Sequence, residues 1–408
     1  MIQVSDNNKC CGCNACIEAC PKQCISSIID NEGFKYPVVD SSKCVDCHLC
    51  EKVCPMLNPG TSVKPLSVEA MIYEDESKRL ESSSGGVFTP IAEEIIRRRG
   101  VVFGASYTKD WHVLHTYTEK IEGLKKYRGS KYVQCDTADS YKVVRQFLKN
   151  DRWVLYSGTP CQIRGLLLFL GKDYDKLVTV DFICHGVPSH EVLMSYVKNE
   201  IAIIAKKRGI NESQITIDDI RFRDKTYGWK SFSFALTLGE ENESGKTNSY
   251  QVLLRDSAYM KGYGANLYLR PSCHECPAKN FTSGSDITLA DYWRVQFQHP
   301  EFDDDKGTSL IAINSEKGSE LLESVRSSMK RQKVDFEQAY KIQTALFRSM
   351  PKPANRAVFW ANDWKNNFCA EVEKIVNKKT IRQKIEQKVR SFFRTIGLKN
   401  IVEKFRKY

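Results

Sequence analysis

Apolar residues recur at helical spacing through Val87, Phe88, Ile91, Ala92, Ile95 and Ile96, and Gly100 closes that run before an apolar stretch at 101–105 that predicts a strand. The alternation continues with a helix expected over 141–148, a strand over 153–156, a helix over 161–169 and a strand over 177–183. This succession predicts an α/β domain with a partly parallel sheet, and strand-like segments at 221–223, 231–238 and 249–254 extend it toward a mixed α+β sheet. Nearer the N-terminus, residues 25–30 and 35–40 flank Asn31-Glu32-Gly33 and predict a β-hairpin. Residues 58–62, with Pro65 beyond, read as a linker. From Thr380 onward, Ile381, Ile385, Val389, Phe392, Phe393 and Ile396 form the apolar stripe of a basic amphipathic helix. The pattern divides the chain into a small unit at 1–58, a mixed α/β domain at 66–370 and a C-terminal tail at 371–408.

With 408 residues there is enough chain for more than one domain and at least one sizeable core. The net charge of +11 raises nucleic-acid binding, but its distribution argues against that class. Residues 371–408 hold twelve Lys and Arg against four Glu, eight of the eleven excess charges, so the first 370 residues carry only +3. The tail fits a membrane interface, with its stripe buried and its cations on anionic lipid, or a helix packed on the protein's own surface or on a partner. The first nine residues are mostly polar and no apolar run approaches the length of a spanning helix. A reduced, cytoplasmic protein is expected, with peripheral contact at the inner face of the membrane if the tail binds lipid.

Cysteine changes the picture most. Cys10, Cys13, Cys16 and Cys20 precede Pro21, and Cys44, Cys47, Cys50 and Cys54 precede Pro55. Each run reads C-x2-C-x2-C-x3-C-P, the spacing of bacterial two-cluster ferredoxins, in which the fourth cysteine ligates the other cluster. One 4Fe–4S cluster is therefore expected on Cys10, Cys13, Cys16 and Cys54, and a second on Cys44, Cys47, Cys50 and Cys20. Zinc usually draws on separated C-x2-C pairs, and disulfide frameworks suit short secreted chains, so both alternatives fit poorly. Cys11 and Cys24 fall outside the spacing and read as non-ligands.

Two further cysteines sit just past predicted strands, Cys161 in Ser157-Gly158-Thr159-Pro160-Cys161 and Cys184 in Cys184-His185-Gly186-Val187-Pro188. In a right-handed β-α-β unit both emerge at the carboxyl edge of one sheet. Cys273 and Cys276, in a C-x2-C pair before Pro277, supply two more soft ligands. On spacing alone the four suit a third 4Fe–4S cluster or structural zinc. Cys135 and Cys369 read as non-ligands. Ser84-Gly85-Gly86, opening the helix after Val87, is either a cradle for a cofactor phosphate or an ordinary helix start. His185 is the candidate catalytic residue, as a proton donor or a tuner of the cluster, with a structural histidine as the plain alternative. Arg221, Arg223 and Lys225 suit an anionic substrate or, more plainly, a solvated strand face.

Ser83–Phe88, 129–134, 157–162, 184–188, 222–225 and 285–291, in that order, resemble the coenzyme F420 hydrogenase/dehydrogenase β-subunit family with an N-terminal two-cluster ferredoxin domain fused in front. The resemblance runs from residue 66 to about 300. It implies FAD, a 4Fe–4S cluster on Cys161, Cys184, Cys273 and Cys276, and flavin contacts drawn from Ser84, Gly85, Gly86, Lys131, Tyr132, Gln134, Gly158, Thr159 and Gln162. Cys135 and Ala290 depart from the serine and glycine usual in relatives. The implied activity is an iron–sulfur flavoprotein oxidoreductase, exchanging electrons between a ferredoxin-like donor or redox partner protein and a small organic acceptor. Some relatives act on a deazaflavin, some resemble chlorophyll-derivative reductases and others belong with surface-polysaccharide synthesis. The rival reading is a non-catalytic electron-transfer adaptor docked on a partner enzyme.

Overall fold

The computed structural model describes residues 1–240 and 247–377, so the amphipathic stripe expected from Thr380 onward, and its membrane contact, lie outside the described residues. The N-terminal unit holds helix α1 (Ala15–Ala19), the antiparallel hairpin β1 (Ile25–Ile29) and β2 (Lys35–Val39), and helix α2 (Leu49–Lys52). Gly33, at φ +82, makes the tight turn between the two strands.

The large domain follows with β3 (Ser67–Tyr73), α3 (Glu76–Glu81), α4 (Phe88–Arg97), β4 (Val101–Tyr107), β5 (Val113–Thr118), β6 (Cys135–Asp136), α5 (Ser140–Lys149), β7 (Val154–Ser157), α6 (Pro160–Leu170), β8 (Leu177–Phe182) and α7 (His190–Arg208). After these come β9 (Ile215–Asp224), β10 (Ser233–Glu240), β11 (Thr247–Leu253), α8 (Ala258–Gly264), β12 (Ile287–Asp291), β13 (Ser309–Ile313) and β14 (Met329–Lys333). Among the described residues the main sheet has nine strands in the order β14-β3-β13-β12-β8-β7-β4-β5-β6. The pairs β4–β7, β7–β8 and β8–β12 are parallel, and β3, antiparallel to β13, runs the same way as they do. A separate antiparallel sheet of β11, β10 and β9 is inserted between β8 and β12.

Local signals account for the elements that place functional groups. Helix α6 starts at a capping box, Thr159 with Gln162, has Pro160 in its first turn, and stops at left-handed Gly171. Helix α7 starts at Ser189, whose side chain accepts from Val192 N, and stops at left-handed Gly209. The tail expected to begin at 371 does not begin there. Residues 371–376 belong to a helix, Phe368–Val376, whose Phe368, Val372 and Ile375 are buried in the cluster that covers α7 and α8.

Two features press the chain together more tightly than periodicity reveals. Cys13, Ala15 and Val53 of the N-terminal unit share one apolar cluster with Tyr141, Val144, Ile163 and Leu166 of α5 and α6. Gly165 lies mid-helix, where glycine costs about 1 kcal/mol relative to alanine, and a Cβ there would sit 3.1 Å from Cys13 Sγ. Gly85 is the second close approach, since its Cβ would lie 2.4 Å from Met71 O and 2.6 Å from Ser309 N. The replacement Gly85→Ala is therefore expected to lower stability by about 1–3 kcal/mol, as overpacking against backbone does. Gly264→Ala, with nothing within 4 Å of its Cβ, is the control expected to stay near wild type. Equal denaturant midpoints for the two variants would contradict this packing.

Candidate functional site

The two ferredoxin loops share one backbone design. Gly12 and Asp46, each just before the second cysteine of its run, have φ of +71 and +50, and Asn14 and His48, just after it, have +58 and +57. Left-handed residues at matching positions bend each loop back on itself, at sites where Gly, Asn, Asp and His tolerate that conformation best. Cys16 then lies in α1 and Cys50 in α2. One pocket is lined by the expected ligands Cys10, Cys13, Cys16 and Cys54 together with Cys11, and another by Cys20, Cys44, Cys47 and Cys50 together with Cys24. Each set of expected ligands draws three cysteines from one run and the fourth from the other. Ile2 N donates to Cys50 Sγ at 3.3 Å and Asp46 N to Cys44 Sγ at 3.4 Å, the kind of backbone contact that stabilises a thiolate. Among the described residues no three His, Cys, Asp or Glu are gathered tightly enough to hold a single metal ion.

The groups differ in access. Cys47 is exposed, whereas the loop bearing Cys13 faces the large domain, where Thr137 Oγ1 donates to Cys13 O at 3.0 Å. Cys24 lies 3.4 Å from Cys20, sulfur to sulfur. Cys11 is within hydrogen-bonding reach of both Cys13 and Cys161. Reading it as an isolated non-ligand misses that it stands between two proposed ligand sets.

Cys161, Cys184, Cys273 and Cys276 come from three separate segments and interact with one another electrostatically. Parallel β7 and β8 deliver the first two at the carboxyl edge of the sheet, Cys161 in the first turn of α6 and Cys184 two residues past β8. Cys273 lies in the short 3₁₀ turn Pro271–Glu275, with Cys276 directly after it. Burial, and then the neighbouring sulfurs, push the Cys273 thiol up to about 12 and the Cys276 thiol up to about 11. Without a cation these are poor thiolates, and metal binding is what would drive their protons off. Lys279 Nζ donates to Cys184 O at 2.6 Å beside them. His185 is half-buried and its pKa is lowered, first by burial. Asn266 donates its amide to Pro351 O, which turns its Oδ1 toward His185, so His185 Nε2–H donates to that oxygen at 2.7 Å.

The residues expected around a flavin are gathered near the same sheet edge, but several are already engaged within the fold. Gly85 N–H donates to Ser309 Oγ at 3.0 Å. Gln162 Oε1 accepts from Thr159 N and Oγ1, while its Nε2 donates to Cys135 O. Gln134 Oε1 accepts from Arg270 at 3.0 Å. Ser83 and Ser130 hydroxyls lie 2.7 Å apart and draw the Ser84 loop against the Lys131 loop. Lys131 Nζ donates to Arg128 O and Gly129 O and sits over the Tyr107 ring, and desolvation lowers its pKa to about 8. Tyr132 OH accepts from Arg223 at 3.2 Å. Cys135 Sγ lies 3.3 Å from His115 Nδ1, and burial lowers the His115 pKa to about 4.

Arg223 and Lys225 do not form a solvated face with Arg221. The pairing of β9 with β10 slips between Arg221–Ala235 and Asp224–Ser233, and this bulge turns Phe222, Arg223 and Asp224 inward together. Arg223 bonds Asp291 at 2.9 Å and lies over the rings of Phe232 and Trp293. Lys225 Nζ donates to the carbonyls of Arg79, Ser84 and Lys306, and burial with Arg223 nearby lowers its pKa to about 7. Arg270 escaped sequence reading altogether, although a basic residue just ahead of Pro271-Ser272-Cys273 was the available signal.

Residues 9–57 match the 4Fe-4S dicluster domain, and residues 151–339 match the family described as the C terminus of the coenzyme F420 hydrogenase/dehydrogenase beta subunit. No curated protein matches the chain. Among solved structures, the chain is similar to one in the xenon-derivatised F420-reducing NiFe hydrogenase complex from Methanosarcina barkeri, at 15% identity and a TM-score of 0.43, covering 81% of this chain and 94% of that one. No helix among the described residues is long and apolar enough to cross a membrane. The chain thus joins an N-terminal 4Fe–4S dicluster domain to a segment, residues 151–339, that is similar to the C terminus of the coenzyme F420 hydrogenase/dehydrogenase β subunit.

Proposed function

We propose that the chain is an iron–sulfur flavoprotein oxidoreductase with three 4Fe–4S clusters and one FAD, exchanging electrons between a one-electron protein donor and an organic two-electron acceptor. The observation that carries this reading is the convergence of Cys161, Cys184, Cys273 and Cys276 at the carboxyl edge of β7 and β8, with Cys11 bridging toward Cys13. When bound, clusters supply one-electron transfer and a flavin supplies the exchange between one- and two-electron chemistry. The carboxyl edge of parallel strands is also where α/β sheets bind such ligands.

Within this reading the chain's own residues bind, orient and hold protons. Cys10, Cys13, Cys16 and Cys54 hold one cluster, Cys20, Cys44, Cys47 and Cys50 the second, and Cys161, Cys184, Cys273 and Cys276 the third. Because Gly85 N–H is taken by Ser309, Thr89 N–H by Gly86 O, and Pro90 has no N–H, a flavin phosphate in this reading is met chiefly by Lys131, with the Ser84-Gly85-Gly86 and Gly158-Thr159 turns alongside. Tyr132, held by Arg223, borders that space. His185 carries its proton on Nε2 and is the candidate proton donor. A deazaflavin of the coenzyme F420 type is the acceptor class favoured by the family, with a substrate of surface-polysaccharide synthesis as the alternative.

Protein purified without oxygen is expected to hold about twelve iron atoms per chain, four for each cluster. Cys161→Ser is expected to lose about four of them and leave the ferredoxin signals in place. A wild-type count near eight, with zinc present, would remove the third cluster.

Acid treatment is expected to release one FAD per chain, and its absorbance is expected to bleach when the intact protein receives electrons from a low-potential donor. Reconstituted protein that takes up no flavin yet still reduces a partner would favour the adaptor reading.

A further inference from the structure

Arg270 joins the two cluster-bearing regions through its main chain on one side and its side chain on the other. Its N–H donates to Val187 O at 2.8 Å, and its carbonyl accepts from Cys273 N at 2.9 Å, which ties its backbone to the loop after Cys184 and to the turn carrying Cys273. The side chain runs into the ferredoxin unit. Nε donates to Cys10 O at 2.7 Å, Nη2 donates to Lys35 O at 2.9 Å and to Cys10 Sγ at 3.5 Å, and Nη1 donates to Gln134 Oε1 at 3.0 Å. The guanidinium lies 4.4 Å from the Tyr36 ring centre and 5.3 Å from that of Phe34.

This arginine is fully buried, at 0% exposure, and among the described residues no carboxylate pairs with it. A buried cation without a counter-charge is costly. Other buried arginines here have one, Arg79 with Asp304, Arg223 with Asp291 and Arg356 with Glu32. What faces Arg270 instead, besides the oxygens of Cys10, Lys35 and Gln134, is the Tyr36 phenol and the sulfurs of Cys10, Cys11 and Cys273. A 4Fe–4S cubane with four thiolates is a net anion and gains another negative charge on reduction, so the missing counter-charge is the one that a cluster on Cys10 would provide.

We propose that Arg270 is a positioning residue that raises the reduction potential of the cluster on Cys10, Cys13, Cys16 and Cys54 and locks that cluster against the third one. The proposal rests on the three-cluster reading above. A fixed positive charge and an N–H donor at a ligand sulfur both stabilise the reduced form, and low-dielectric surroundings strengthen the effect. The second group, with exposed Cys47, has no equivalent buried cation from the large domain among the described residues. An electron entering there is drawn toward the Arg270 side, where the Cys11 thiol stands between Cys13 and Cys161. One electron moves, and no bond or proton changes place.

The test is a potentiometric titration followed by electron paramagnetic resonance on the full-length, cluster-loaded wild type and on Arg270→Gln and Arg270→Lys. Arg270→Gln is expected to keep its iron and to shift one midpoint potential to more negative values, the other two moving less. The shifted signal is expected to be the one missing from Cys16→Ser. Arg270→Lys keeps the charge but not the fork of contacts, so its shift is expected to be smaller and of the same sign. If Arg270→Gln loses iron, Arg270→Lys decides. Unchanged potentials in the iron-replete variants, or equal shifts of all clusters, would overturn the proposal. A wild type with about eight iron atoms, from two clusters of four, would instead overturn the three-cluster reading, and the shift at the Cys10 cluster would still be measurable.

Discussion

The rest of the molecule depends on the ferredoxin unit being seated directly against the end of the parallel sheet. Apolar packing supplies the contact, through Cys13, Ala15 and Val53 against α5 and α6, and Gly165 gives up its side chain so that Cys13 can approach. Polar groups then fix the register. Lys35 pairs with Asp136, Arg356 with Glu32, and Glu18 accepts from Lys142 N. Electron transfer between sites falls off steeply with distance, so a loosely tethered ferredoxin would serve this function poorly. The structure shows it held at many points, with a shared core rather than a flexible joint.

Much of this was legible in the sequence because it is local. The doubled cysteine spacing, the hairpin around Gly33 and the strand–helix succession from α4 to β8 are all short-range patterns, and each expected element appears within a few residues of its expected bounds. The placement of Cys161 and Cys184 at one sheet edge followed from β-α-β handedness alone.

What could not be read depends on partners distant in the chain. The glycines of Ser84-Gly85-Gly86 suggested a phosphate cradle, yet Gly85 faces the backbone of β3 and β13, whose residues lie far away in sequence. Arg223 looked solvated because its neighbours alternate, and a bulge that only the pairing with β10 creates turned it inward. Arg270 and Cys11 acquire meaning only when the two domains meet. The helix at Phe368–Val376 was divided between body and tail because its buried face belongs to a core assembled from α7 and α8.

The central claim is that the sheet edge holds an iron–sulfur cluster in line with the ferredoxin pair. Anomalous diffraction at the iron edge, on crystals of protein prepared without oxygen, tests it most directly. The account predicts three iron centres, one of them between Cys161, Cys184, Cys273 and Cys276. Two iron centres with a zinc signal at the third position, or with none there, would contradict it.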